Sequence, residues 1–131
     1  MIVIDASALL ELLLRTERAE AIEARVFVPH ERMHAPHLLD VEITQALRRL
    51  TLLKDITASR AQQVLDDSAG LVIQRYSHQE LLPRIWQLRD AVTAYDGAYV
   101  ALAEALDAPL LTCDARLGRS HGHRARIEVV T

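Results

Sequence analysis

MIVIDASALLELLL, residues 1–14, is the stretch on which the fold turns. Met1 to Ile4 is a short apolar run rich in β-branched residues, the composition of a buried strand. Asp5-Ala6-Ser7 then leads into a leucine-rich segment ending near Leu14, so the stretch predicts strand, turn, helix. The same order returns near the other end, where Pro109 to Cys113 reads as a strand and Asp114 to Leu117 as a short helix. Ile127 to Val130 reads as a closing strand.

Between these ends the pattern is mostly helical. A second helix is expected over about 17–28, followed by a polar, proline-bounded connection from Pro29 to Pro36. Leu39, Ile43, Ala46, Leu47 and Leu50 fall at helical spacing in a helix over about 37–52. Thr57 and Ser59 are candidate caps for a helix running to about Ala69, with Gly70 as a stop before a short strand at 71–75. Another helix is expected over about 79–91. A turn at 93–97 then starts the most apolar helix, Ala98 to Leu106, whose alanines suit a central buried position. Strands separated by helices, with no hairpin signal, predict an α/β fold with three layers, α/β/α, around a central parallel sheet.

At 131 residues, with 50% apolar and 25% charged residues, the chain suits one globular domain spanning residues 1–131. The single cysteine, Cys113, allows no internal disulfide and suits a reducing compartment. The N-terminus lacks the basic flank of a secretory signal, and the apolar run Ala98 to Ala103 is far short of the roughly 20 residues of a membrane span. A cytoplasmic protein is expected. The net charge of −3 excludes a broadly basic nucleic-acid-binding domain, yet Arg116, Arg119, Arg124 and Arg126 form a basic end with no acid among them.

Acids draw the eye because open parallel sheets bind ligands at the carboxyl ends of their strands. Asp5 and Asp114 each follow a strand and precede a helix, so both belong on that rim. Asp96 stands at the start of the buried helix, where the dipole favours an anion. Glu42 lies one turn into its helix beside Leu38, Leu39 and Ala46, at the border of the packed face; spacing alone does not separate it from Asp40. A purely structural role is open to each: Asp5, Asp96 and Asp114 as N-caps worth about 1 kcal/mol, Glu42 as a partly exposed helix acid.

Four segments weigh against that structural reading. MIVIDASALLELLL, APHLLDVEITQALRRL, TAYDGAYVALAEAL and APLLTCDARL resemble, in order and at matching separations, the signature segments of PIN-domain ribonucleases, specifically the VapC-type toxins of toxin–antitoxin pairs. The resemblance covers essentially the whole chain. It implies that Asp5, Glu42, Asp96 and Asp114 are the metal-binding and catalytic acids, with Ser7 and Thr112 as supporting hydroxyls. It also implies an endoribonuclease that cuts a particular transfer or ribosomal RNA to leave a 5′-phosphate and a 3′-hydroxyl. A homodimer is implied, and a cognate VapB-type antitoxin that blocks the site. Carboxylates suit Mg²⁺, with Mn²⁺ as a substitute, better than histidine or cysteine would. Asp5, Asp96 and Asp114 are expected as the principal ligands, with Glu42 binding a second ion or positioning water.

The basic end follows Asp114 directly and is a candidate for drawing in the RNA backbone, against the plain alternative of a solvated surface. Leu9, Leu10, Leu12, Leu13 and Leu14 point in too many directions for burial against one sheet, so some are expected to meet another surface. His30, His34, His37, His121 and His123 lack zinc-site spacing and read as exposed loop histidines. Cys113 reads as a buried strand thiol. A phosphoacceptor response-regulator domain would need a lysine at a strand end, whereas Lys54, the only lysine, lies in or just after a helix. A noncatalytic RNA-binding or antitoxin-binding module of the same fold is opposed by the presence of all four acids.

Overall fold

A computed structural model describes all 131 residues. Its first strand, β1 (Ile2–Ile4), is inaccessible at every residue, as a strand covered on both faces must be. It is followed by α1 (Ala6–Leu13), α2 (Ala19–Val26), β2 (Met33–Pro36), α3 (Leu38–Leu52), α4 (Ala58–Gly70) and β3 (Ile73–Tyr76). A 3-10 turn (Gln79–Leu81) then precedes α5 (Leu82–Gln87), α6 (Ala94–Leu106), β4 (Leu110–Thr112), α7 (Ala115–Gly118) and β5 (Ile127–Val129). The five strands form one parallel sheet in the order β3-β2-β1-β4-β5. The chain builds outward from β1 through β2 to β3, then returns to the other side of β1. The switch point therefore lies between β1 and β4, where Val3 pairs with Leu110 and Ile4 with Leu111.

Right-handed crossovers in the two directions place the helices on opposite faces. On one, α1 packs against α2, α3 and α4; on the other, α5 packs against α6, which lies on β1, β2 and β4. Leu39, Ile43 and Leu47 drive α3 into the core, each fully buried side chain contributing about 1.5–3 kcal/mol. Gly97 of α6 lets α5 approach closely, since a Cβ there would stand 3.3 Å from Ile85 Cγ2. No helix is long and apolar enough to cross a membrane.

Three local expectations change. The connection expected at 29–36 contains β2, buried along its whole length between β1 and β3. Four residues, Met-His-Ala-Pro, carry no readable alternation, and the N–H that Pro36 lacks is replaced one residue later by His37, which donates to the Tyr76 carbonyl (3.0 Å). The helix expected over 79–91 breaks into a 3-10 turn and the six-residue α5, with proline in the first turn of α5. The leucines of α1 need no outside partner: Leu9, Leu12 and Leu13 are buried, and Leu10 and Leu14 pack against the same core. Three neighbouring helices, rather than the sheet alone, accept them.

Candidate active site

Asp5 closes β1 and caps α1, and the residue is 6% exposed. Oδ1 accepts from Ser7 Oγ (2.7 Å) and from the Ala8 N–H (2.9 Å), while Oδ2 accepts from Thr112 Oγ1 (2.5 Å) at the end of β4. Each hydroxyl also receives a backbone N–H: Ser7 Oγ from Cys113 (2.9 Å) and Thr112 Oγ1 from Asp114 (3.0 Å). With both hydroxyl protons committed to Asp5, the 3.2 Å contact between Ser7 Oγ and Thr112 Oγ1 has no donor to spare. The network fixes one carboxylate rotamer at the switch point. Burial pushes the Asp5 carboxyl above the usual carboxylate range, against the opposing effect of Thr112, Ala8 and Ser7.

Glu42 and Asp96 meet this group from the helices that begin at the carboxyl edge. Thr93, not Asp96, caps α6, by accepting from the Asp96 N–H (3.1 Å), and its hydroxyl also lies against the Asp96 carboxylate. Glu42 Oε1 accepts from Tyr99 Oη at 2.6 Å. Asp40, which spacing could not tell from Glu42, is turned away into a bidentate pair with Arg75 (2.7 and 2.8 Å). Burial raises the pKa of both Glu42 and Asp96; like charge adds to it, from Asp5 and Asp96 on Glu42 and from Asp114 on Asp96. Asp114 caps α7 and is held below the carboxylate range by Arg116, whose backbone N–H donates to Oδ1 (2.9 Å) and whose guanidinium lies 3.3 Å from Oδ2.

The four acids thus come from four places in the chain to one edge of the sheet, close enough to act on one another's ionisation. They do not close into a ligand set: no three of His, Cys, Asp or Glu are drawn together in a geometry that could hold an ion. Carboxylates of like charge repel, and Tyr99 holds one oxygen of Glu42 while Arg116 engages both oxygens of Asp114. The donor chemistry is all oxygen and anionic, which fits a hard divalent cation. Three of the four carboxylates resist ionisation where they stand, so a cation would relieve them.

A PIN-domain family model matches residues 2–121. Ribonuclease VapC12 of Mycobacterium tuberculosis is 43% identical over 130 residues, covering 99% of each chain, and ribonuclease VapC1 of the same organism is 43% identical over 129 residues, 98% of this chain and 96% of that one. The chain belongs to the PIN-domain family, in its VapC group. Solved structures agree on the PIN fold: PAE2754 from Pyrobaculum aerophilum superposes with a TM-score of 0.74 at 22% identity, over 98% of this chain and 83% of that one. VapBC2 from Rickettsia felis, bound to a DNA fragment from its promoter, gives 0.73 at 12% identity over the whole of both chains.

Within this PIN domain the basic end divides. Arg116 stands at the acids and Arg119 is exposed one turn on, whereas Arg124 faces Glu104 (3.6 Å) and Arg126 faces Asp107 (3.0 Å) at the far end of α6. Arg126 immediately precedes β5, which puts it on the amino edge of the sheet, opposite the acids. His34 is not a loop residue: it is buried on β2 with Nδ1 2.7 Å from Tyr76 Oη. Cys113 is half-buried just past β4, its thiol pushed up to about 11 by burial, away from the thiolate form that a nucleophile needs. Two working residues escaped sequence reasoning. His78 Nε2 accepts the Leu38 N–H (2.9 Å) and so caps α3, and Tyr99 holds Glu42. A tyrosine in an alanine-rich buried helix, three residues past Asp96, was the signal for the second.

Proposed function

We propose that this protein is a metal-dependent endoribonuclease toxin, held in check by a cognate VapB-type antitoxin, with Asp5, Glu42, Asp96 and Asp114 as its active site. Membership of the VapC group, whose relatives are named ribonucleases, supports nuclease hydrolysis. The observation that carries the site is the gathering of Asp5, Glu42 and Asp96 where each carboxyl is pushed up by burial and by its acidic neighbours. Such an arrangement works against the stability of the bare fold and is resolved by a cation.

Mg²⁺, or Mn²⁺ in its place, would activate water and offset charge on the scissile phosphate. Asp5, Asp96 and Asp114 would hold it, Asp5 as the fixed point because β1, β4 and two hydroxyls set its rotamer. Tyr99 occupies one oxygen of Glu42 and leaves the other to orient water or take a proton, a task its raised pKa suits. Arg116 would exchange Asp114 for RNA phosphate. The antitoxin reading draws on relatives solved as VapBC complexes, and a homodimer and a cytoplasmic location complete it.

The test is cleavage of total cellular RNA with Mg²⁺ or Mn²⁺ by the wild-type chain and by Asp96→Asn, which leaves the Thr93 cap intact. Cutting is expected to fall at least about 100-fold in the variant and to stop with a chelator. Undiminished cutting by a folded Asp96→Asn protein would overturn the assignment.

A further inference from the structure

Helix α3 presents Glu42 to a second feature beside the acids. Val41, Glu42, Gln45 and Arg49, on successive turns of α3, and Tyr95 of α6 line an open pocket of about 400 Å³ together with apolar neighbours. Glu42 is a wall of both, so the pocket is continuous with the acid site. Its mouth is flanked by Tyr95, 63% exposed, and Val41, 66% exposed, neither belonging to the core. Arg49 is exposed at the far end and engages no carboxylate of this chain.

We propose that this pocket receives one nucleobase of the RNA, stacked on Tyr95, with Gln45 reading the edge of the base and Arg49 holding an adjoining phosphate. The proposal rests on the ribonuclease reading above and names where that enzyme selects its substrate. The volume suits a single small-molecule ring system, in the range of about 300–1,000 Å³. The chemistry matches as well. A tyrosine face takes any base, an amide offers both a donor and an acceptor to a base edge, and an unpaired guanidinium is the usual partner of a phosphate. A second copy of the chain fits less well. Docking an apolar face would strand Gln45 and Arg49, which line the pocket.

Fluorescence anisotropy with labelled 12-nucleotide homopolymers of A, C, G and U, at low salt with a chelator so that nothing is cut, tests the pocket apart from the chemistry. Tyr95→Ala should weaken binding about 5- to 100-fold, as expected for loss of one stacked base, and Tyr95→Phe should restore it. Gln45→Ala should change the order of preference among the four homopolymers. Light scattering on the same variants reads the oligomeric state. Wild-type affinity in Tyr95→Ala overturns the proposal, as does the absence of wild-type binding to any homopolymer. A Tyr95→Ala protein that dissociates into monomers while its RNA affinity holds assigns the pocket to a contact between copies and also overturns it. If the variants behave as expected but wild-type protein cuts no RNA with Mg²⁺, the ribonuclease reading fails and the base pocket stands.

Discussion

Replacing Asp5 by asparagine should abolish cleavage with little change in the stability of the metal-free fold, and the hydrogen-bond geometry shows why. In the wild type, Oδ1 accepts from Ser7 and the Ala8 N–H, and Oδ2 accepts from Thr112. A carboxamide can keep its oxygen on the first two, because asparagine caps a helix as well as aspartate does. Its N–H then points at Thr112 Oγ1, which must turn from donor to acceptor. Thr112 already accepts the Asp114 N–H, but a hydroxyl oxygen accepts two bonds, and the freed proton finds Ser7 Oγ at 3.2 Å. Ser7 Oγ, which donates to residue 5 and accepts from Cys113, has one lone pair left for it. After the exchange the hydroxyls, the backbone N–H groups and one of the two amide N–H donors are satisfied, and the second amide hydrogen has no partner in this network.

The charge itself is what the buried site resists, so its removal offsets the unpaired amide hydrogen and should leave metal-free stability within about 1 kcal/mol of the wild type, about 4 °C in Tm for a domain of this size. Alanine differs. It removes the cap on the Ala8 N–H, about 1 kcal/mol, and leaves one hydroxyl proton unmatched, about 1–2 kcal/mol more, for a total loss of about 2–3 kcal/mol. Thermal melts with a chelator should therefore place Asp5→Asn within about 4 °C of wild type and Asp5→Ala about 8–12 °C below it. Added Mg²⁺ should raise the melting temperature of the wild type and of neither variant, since only a bound ion stabilises by mass action. Equal destabilisation by asparagine and alanine would refute the exchanged network, and cleavage by Asp5→Asn would refute the role of the carboxylate.

Tyr99→Phe should keep the fold within about 1 kcal/mol yet cut RNA about tenfold more slowly, because Glu42 loses the one hydroxyl that orients it; full activity under saturating Mg²⁺ would remove Tyr99 from the site. Metal-free stability should peak in mildly acid solution. Asp5, Glu42 and Asp96 have raised folded pKa values, so their contribution is complete below the usual carboxylate range of about 4 and is lost as pH rises through those values. Glu31, Asp40, Glu104 and Asp114, held below that range, contribute above it and lose the contribution as pH falls through their folded values. Denaturant melts from about pH 3 to 8 with a chelator check both limbs, and stability that climbs steadily toward neutrality would contradict the first. Neutralising Arg116 and Arg119 together should flatten the dependence of RNA binding on salt by up to about 1.4 in the log–log slope, and neutralising Arg124 and Arg126 should leave it unchanged. Equal effects would show that the two edges of the sheet are not distinguished by RNA.

How much of this was legible depended on how far apart in the chain the cooperating residues lie. The strand and helix at 1–14, the long periodic α3 and the apolar α6 carry their own signals, and the order of strands and helices gave the parallel sheet. The four residues of β2 are too few to show a period, and their burial depends on two neighbouring strands. Asp5 and Asp114 could be placed on one rim because each ends a strand. Glu42 and Asp96 could not, since only the crossover of α6 brings Tyr99 to a partner 57 residues away. The four arginines show the converse, for residues contiguous in sequence are parted when the chain crosses from the carboxyl edge at α7 to the amino edge at β5.

Capping and catalysis are commonly weighed as rival explanations for an aspartate between a strand and a helix, and at Asp5 one geometry serves both the cap and the metal site proposed above. A cap needs a single oxygen, and Oδ1 serves there, on the Ala8 N–H. The second oxygen is held by Thr112, 107 residues away on the neighbouring strand, at a position where burial opposes the charge. A cap alone would be served better by a neutral serine or asparagine, which brings no buried charge. The cap and the hydroxyls instead fix the rotamer of a carboxylate that the bare fold does not favour, which is the preorganisation a metal ligand requires. Asp96 supports the distinction from the other side. There Thr93 does the capping, and the acid beside it in the first turn of α6 stands against burial and the neighbouring Asp114, with only that Thr93 hydroxyl and the charge of Arg116 to relieve it.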